Sequence, residues 1–431
     1  MKSRHYLLTC RVCNNSFEDD GFLLECPHHQ DVPALLVTKY ECKYIEPLEH
    51  HQGLFRYQKW LPTTHILSYA GGTVTYQSLQ LNQTTGLPHL WIAFNGYWPE
   101  RNAQLETTTF KELEAYTVIS RLLEHKHQQQ PILVVSSAGN TAAAFASVCS
   151  KVQMPCLIIL PESGLAAMHF PRPLASCVKL ISLSNASYTD AIVLAQQIAQ
   201  HEGFFPEGGV KNVARRDGLG SVLLNAVETI GRLPDYYFQA IGSGAGAIAV
   251  HDMAARLIED GRFGQVFPRL MLSQNTPFAP IYHAWKSHQR TLIPAERNEG
   301  KGQIQQMITP VLSNQHPPYA LRGGVFDVLT ESQGEMLVAD NQETQEAMSL
   351  FEETEGIDIH PAAGVALATL LKTAQSGRID PRATILLNVT GGGWKRKHAD
   401  QQLVPAQPTL CLQDAEILLE DISTKVIARI Y

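Results

Sequence analysis

Tyr236-Tyr-Phe-Gln-Ala-Ile241 runs directly into Gly242-Ser-Gly-Ala-Gly246, and an apolar-rich stretch continues through Ile258. An apolar run, a glycine turn and a helix-like segment in that order read as strand, tight loop and helix. Glycines at such a junction let backbone N–H groups approach an anion at the positive helix end. Working outward, the same alternation recurs. Pro131 to Val135 is a buried-strand run that turns through Ser136-Ser-Ala-Gly-Asn-Thr141 into a helix reaching Lys151. Cys156 to Leu160 and Val178 to Leu183 are further strands, followed by a helix from about Thr189 to Gln200. Arg269 to Leu272, a helix around Ala362 to Thr373 and a strand from Ala383 to Val389 complete the series. Strand-helix alternation of this kind predicts an α/β fold with mostly parallel, helix-covered sheets.

At 431 residues the chain exceeds the ~250–300 residues over which a single core grows, so two lobes are expected. Apolar content of 44% and charged content of 17% are those of a folded globular protein. A formal net charge of -7 argues against a nucleic-acid partner. No stretch approaches the ~18 apolar residues of a membrane span, and the short apolar run after Met1 to His5 is too polar for a signal peptide. Eight cysteines in such a chain are expected to stay reduced, in the cytoplasm.

Residues 1–54 read as a separate appendage, because cysteine and histidine are dense there. Cys10-Arg-Val-Cys13, Cys26 and His28-His29 suggest a small zinc ribbon, with Cys42 as a further sulfur. Cys26-Pro-His-His is an irregular second half, so the expectation is a degenerate, metal-free ribbon packed on the body. The stretch from Ser287 to Pro318 is polar and proline-punctuated, and reads as a surface excursion or lid.

Three features carry chemistry. Gly242 to Gly246 is a phosphate-sized loop, equally a dinucleotide turn or a tight helix-strand contact. The dinucleotide reading requires an acid after the next strand, where Ser273-Gln274-Asn275 stands instead. Lys111, in Thr107-Thr-Thr-Phe-Lys-Glu112, opens a helix-like run, where an amine can be kept neutral and reactive toward an aldehyde. Ser137, Gly139, Asn140 and Thr141 lie where a strand becomes a helix, fit either to cap it or to hold a carboxylate and a ring hydroxyl. One lysine, one asparagine turn and one glycine loop together suit pyridoxal 5'-phosphate, the lysine forming a Schiff base with its aldehyde. Thr390, before Gly391-Gly-Gly393, offers a neutral hydroxyl to a pyridine nitrogen. Lys211, Arg215 and Arg216, flanked by Gly208, Gly209 and Gly218, read as a basic loop for an anionic group.

Taken in order, these residues resemble the threonine synthase branch of the fold type II pyridoxal phosphate enzymes, and within it the cysteate synthases. The resemblance is carried by Phe94-Asn-Gly-Tyr-Trp-Pro-Glu100, Thr109-Phe-Lys-Glu-Leu-Glu-Ala115, Asn212-Val-Ala-Arg-Arg-Asp-Gly218 and Asn388-Val-Thr-Gly-Gly-Gly393. It implies that Lys111 holds the cofactor and transfers protons, with Asn140 at the ring hydroxyl. Gly242, Ser243, Gly244, Ala245 and Gly246 would hold the cofactor phosphate, and Thr390 the ring nitrogen. Ser137, Gly139 and Thr141 would bind the substrate carboxylate, with Asn212, Arg215 and Arg216 near the phosphate or nucleophile. The implied reaction converts O-phospho-L-serine and sulfite to L-cysteate through an aminoacrylate. The same replacement with another nucleophile, or threonine synthase chemistry on O-phosphohomoserine, is the alternative. The resemblance further implies a homodimer acting on small molecules. The expected divisions are a large lobe of residues 55–111 and 232–400, a small lobe of 112–231 and a tail of 401–431.

Overall fold

The computed structural model describes residues 4–28, 32–124, 131–137, 139–293, 297–315, 317–413 and 421–431; His29 of the appendage lies outside them. The appendage is a three-stranded antiparallel sheet in which β1 (Tyr6–Cys10) pairs with both β2 (Ser16–Phe17) and β3 (Leu36–Tyr40). Leu8 stands opposite Phe17 on one side and Thr38 on the other.

Two sheets form the body. Their strands, in chain order, are β4 (Val74–Gln77), β5 (Leu90–Phe94), β6 (Ile132–Ser136), β7 (Cys156–Pro161), β8 (Val178–Leu183), β9 (Phe204–Pro206), β10 (Tyr236–Ala240), β11 (Arg269–Asn275), β12 (Glu335–Ala339), β13 (Ile385–Val389) and β14 (Leu410–Leu412). The larger sheet runs β12-β11-β10-β13-β5-β4 and is parallel except for β4 at its edge. The smaller sheet runs β9-β6-β7-β8-β14 and is parallel throughout. All residues of β7 and β13 are buried, as expected of parallel strands covered on both faces.

The principal helices are α1 (Lys111–Leu123), α2 (Asn140–Val152), α3 (Tyr188–Ile198), α4 (Val213–Ile230), α5 (Ala245–Asp260), α6 (Pro361–Gln375) and α7 (Ile422–Ile430). The sequence groups α1 and α4 with the smaller lobe. In the structure α4 lies between α1 and α5, the helix that follows β10 of the larger sheet. Among the described residues beyond 400, β14 extends the smaller sheet beside β8 and α7 packs on α3.

Gly218, expected to flank a loop, is inside α4. A Cβ there would lie 2.3 Å from Thr117 Oγ1 and 2.4 Å from the Leu113 carbonyl, so its absence sets how closely α4 approaches α1. Thr117 Oγ1 donates across that contact to the Ala214 carbonyl at 2.7 Å. Gly220 plays the same part toward α5, where a Cβ would meet the Ala249 carbonyl at 3.1 Å. A mid-helix glycine costs ~1 kcal/mol of helix stability relative to alanine, which close packing offsets here.

The stretch Ser287 to Pro318 is partly folded, with a helix at Arg297–Gln305 and a short turn of 3-10 helix at Pro310–Leu312. Met307, Thr309 and Leu312 are buried, so this excursion closes over the body. Among the described residues no helix is long and apolar enough to cross a membrane.

Gly218→Ala is expected to lower stability by about 1–3 kcal/mol despite its better helix propensity, because both atoms it would strike are held in place. Denaturant unfolding checks this; an unchanged or raised midpoint would mean the α1–α4 contact is loose.

Candidate active site

The C-terminal ends of β6, β10 and β13 converge on one cavity. Its lining includes Phe110, Lys111, Ser137, Gly139, Asn140, Thr141, Arg215, Gly242 to Gly246, His360, Thr390 and Gly391. Ligands in open α/β folds bind beyond these strand ends, where helix N-termini point. Of the residues singled out from the sequence, Asn212 and Arg216 are not among the cavity's lining. Asn212 caps α4 by accepting from the Ala214 N–H, and also accepts from Arg121 Nη1 at 3.0 Å. Arg216 is buried, paired with Asp252 at 3.2 Å, and donates to the carbonyls of Val210 and Leu36. Lys211 pairs with Glu25 on the surface, so the basic cluster is dispersed rather than gathered on one anion.

Lys111 is the first residue of α1, its side chain 20% exposed and its Nζ 5.0 Å from the Phe110 ring centroid. Burial lowers its pKa from the ordinary lysine value; Glu114 works against that shift and Arg215 with it. Glu114 is the residue that binds the site together. One turn beyond Lys111 and fully buried, it accepts from Lys111 Nζ at 3.3 Å, Thr141 Oγ1 at 2.9 Å and Arg215 Nη1 at 3.0 Å. Glu207 takes the rest of the guanidinium in a two-pronged pair, Nε at 2.7 Å and Nη2 at 2.6 Å. Burial alone would weaken the Arg215 charge; Glu114 and Glu207 outweigh it and hold its pKa above the usual arginine value. Arg215 therefore faces the cavity with its charge already compensated.

Fitting pyridoxal phosphate to this cavity is supported by three observations. Lys111 places a partly desolvated amine at its wall. Thr109 Oγ1 is buried there without a protein partner. Two glycines of the loop have no room for a side chain: a Cβ on Gly246 would meet Gln239 Nε2 at 2.7 Å. Gly244, with φ +81°, would strike Val325 at 2.1 Å. Beyond the loop, α5 presents its N-terminal amides, as a phosphate group requires. Gly139, at φ 150°, opens α2 in a conformation that a side chain would strain.

Beneath the cavity a buried polar chain fixes the strand ends. Asn388 Nδ2 donates to Gln239 Oε1 at 3.0 Å and to the Tyr237 hydroxyl oxygen at 2.7 Å. Asn95 Nδ2 donates to Asn388 Oδ1 at 2.9 Å, and Thr73 Oγ1 to Asn95 Oδ1 at 2.7 Å. His360, 3.0 Å from Thr108 Oγ1, is held neutral by burial, its pKa lowered to about 4. Sequence reading missed Glu114, Glu207, Gln239 and His360. Glu114 had a local signal, the three-residue spacing from Lys111 that puts both on one helix face; Glu207 stands next to the Gly208 stretch but with no spacing that points it at Arg215, and Gln239 and His360 come from distant segments.

Arg215→Ala would leave two buried carboxylates facing one another and is expected to cost about 3–5 kcal/mol of unfolding free energy. Glu207→Gln in the same chain should recover part of that loss. Additive losses in the double variant, by denaturant unfolding, would mean the pair is not coupled. A second expectation concerns pH. His251, stacked on Phe267 with centroids 4.5 Å apart, is also held neutral by burial, at about 4. Both histidines have folded pKa values below the ordinary 6.5. Their stabilisation is full above pH 6.5 and is lost as pH falls toward 4, about 1.4 kcal/mol per pH unit for each. Burial raises Glu112 and opposes this trend, so His251→Phe against the parent isolates the histidine. The variant's slope of unfolding free energy between pH 6 and 5 should be shallower by roughly that amount; equal slopes would mean His251 is not held neutral.

Comparison with known proteins agrees with the geometry. Residues 71–391 match the family described as pyridoxal-phosphate dependent enzyme. Cysteate synthase from Methanocella paludicola is 43% identical over 424 residues, covering 98% of this chain and 97% of that protein. Cysteate synthase from Methanosarcina barkeri is 41% identical over 420 residues, covering 97% and 99%. Among solved structures, maize serine racemase shares the fold at TM-score 0.57 and 16% identity, over 78% of this chain and 96% of that one. With a parallel two-sheet α/β body, a lysine and a glycine loop at one cavity, and this likeness over nearly its full length, the chain belongs to the cysteate synthase family of fold type II, pyridoxal-phosphate dependent enzymes.

Proposed function

We propose that the enzyme replaces the phosphate of O-phospho-L-serine by sulfite, releasing L-cysteate and inorganic phosphate. The observation that carries this reading is the convergence of Lys111, the turn at the start of α2, the glycine loop and Thr390 on one cavity, in a chain so similar to cysteate synthases. Pyridoxal phosphate, when bound, supplies the electron sink that eases loss of the substrate's α-proton and of its β-substituent.

The protein's own residues do the rest. Lys111 takes the proton from the substrate α-carbon and later returns it, a task eased by its lowered pKa. Glu114 fixes that amine on one oxygen and the Thr141 hydroxyl on the other, so base and carboxylate pocket keep a set spacing. Ser137, Gly139 and the amides opening α2 receive the substrate carboxylate, and Asn140 the ring hydroxyl of the cofactor. Gly242 to Gly246 would hold the cofactor phosphate, and Thr390 would present a hydroxyl to the ring nitrogen, a neutral partner that suits chemistry at the β-carbon. Bond-making and bond-breaking balance: the β-carbon–oxygen bond breaks with phosphate leaving, and a β-carbon–sulfur bond forms from the sulfite lone pair. The working form in this reading is a homodimer.

A second reading, the same elimination completed by a different nucleophile, has one observation behind it. Among the described residues lining the cavity, Arg215 and Lys111 are the cations, and Arg215 is already bound to two carboxylates. A doubly charged nucleophile therefore meets little free positive charge.

The deciding experiment measures phosphate and cysteate from O-phospho-L-serine with and without sulfite, beside O-phosphohomoserine. Cysteate formed with sulfite-stimulated phosphate release is expected. Phosphate release indifferent to sulfite would favour the second reading, and turnover of phosphohomoserine alone would overturn both. Lys111→Ala should lose borohydride-fixable cofactor and slow turnover on the order of 10²–10⁴-fold or more.

A further inference from the structure

The sulfurs of Cys10, Cys13 and Cys26 lie within 4.8 Å of one another at the end of β1, and none of the three lines the cavity. Cys13 Sγ and Cys26 Sγ are 3.7 Å apart, too far for a disulfide bond of ~2.05 Å. Sulfurs at two corners of a zinc tetrahedron, with Zn–S of ~2.3 Å, are ~3.8 Å apart.

The backbone around them has the form of a metal knuckle. The Val12 N–H points at Cys10 Sγ at 3.4 Å, and the Asn14 N–H donates to the Cys10 carbonyl at 3.0 Å. Asn14 adopts the left-handed conformation, φ 58°, turning the chain just after the second cysteine. Such a turn aims both sulfurs to the same side. Cys10 and Cys26 are buried, Cys13 partly so.

Leu35 and Ile45 anchor the appendage in the main core, but the cysteine end of β1 lies outside that core. The buried cluster around these cysteines is small: Tyr6, Leu8, Leu36 and Val213 supply most of its carbon. Small units of this kind are held by a metal or by disulfides rather than by a core, and none of the eight cysteines is in a disulfide.

We propose that Cys10, Cys13 and Cys26 are three thiolate ligands of a structural zinc ion. Zinc takes a fourth ligand, and His28 stands two positions after Cys26, its Nδ1 bonded to Asn15 Nδ2 at 2.7 Å. Cys42 is not part of the cluster, since its sulfur is engaged with the Tyr44 carbonyl at 3.1 Å. This departs from the metal-free ribbon expected from the irregular second half, because the fold gathers three sulfurs that their spacing alone could not place.

The site is tied to the catalytic helices. Arg11, between the two knuckle cysteines, pairs with Asp252 of α5, which also holds Arg216 of α4. Asp19, in the same appendage, grips Arg121 of α1 through both carboxylate oxygens at 2.6 and 2.8 Å. A metal that fixes the knuckle therefore braces three helices carrying or flanking the cavity.

The test uses the full chain with its cofactor bound and reads metal directly. Elemental analysis of the purified enzyme should find about one zinc per chain, retained through dialysis. Cobalt substitution should give the near-ultraviolet thiolate-to-metal band and the red d–d bands of a tetrahedral sulfur-rich site. Cys42→Ser should keep the metal, and Cys26→Ser should lose it while the cofactor's visible absorbance persists. If Cys26→Ser does not fold, the parent enzyme's zinc content and cobalt spectrum still decide. Negligible zinc in the parent, with the three thiols reacting freely with a thiol reagent, would overturn the proposal, as would a Cys26→Ser variant that binds zinc as tightly.

Discussion

A buried carboxylate with three donors holds the catalytic cavity in shape. Glu114 sits on α1, but its partners come from three helices: Lys111 on its own, Thr141 on α2 and Arg215 on α4. An unpaired charge at that depth would cost several kcal/mol, so each partner is required by the others. The arrangement links the helices around both sheets, since α2 follows the smaller sheet and α4 lies against α5 of the larger one.

The same device recurs away from the cavity. Asp217 of α4 takes Arg256 of α5 at 2.7 Å and the Tyr40 hydroxyl of β3 at 2.7 Å. Asp19 takes Arg121 and the Tyr6 hydroxyl, and is driven down to about 2 because these bonds outweigh its burial. The appendage is thus joined to the body by buried charges as well as by carbon, Leu35 and Ile45 entering the main core. Buried pairs of this kind add modest net stability but define one geometry, because a misplaced partner is strongly penalised. In a reaction where an amine, a carboxylate pocket and a phosphate loop must keep fixed distances, that definition matters more than raw stability.

How much of this was legible beforehand follows from the range of each signal. Strand–turn–helix units around Val134, Ile159 and Phe238 were readable because period and glycine punctuation are local. Lys111, the α2 turn, the Gly242 loop and Thr390 were each visible as a strand end or helix start. Arg215 and Arg216 looked alike in sequence. They lie about 100° apart around α4, so one faces the cavity and the other faces Asp252. Gly218 read as a loop glycine for the same reason: nothing local says that a second helix needs the space.

The sequence by itself determined the α/β alternation, the glycine loop between strand and helix, and the family, because these reside in short, ordered stretches. Only the tertiary structure decided which charges meet. Glu114 and Glu207 became the partners of Arg215, Asn388 met Asn95, and three cysteines from two separate stretches came to share one point in space. The physical reason is that burial and electrostatic pairing act through space, between residues from eight to nearly three hundred positions apart, where spacing along the chain carries no information about distance.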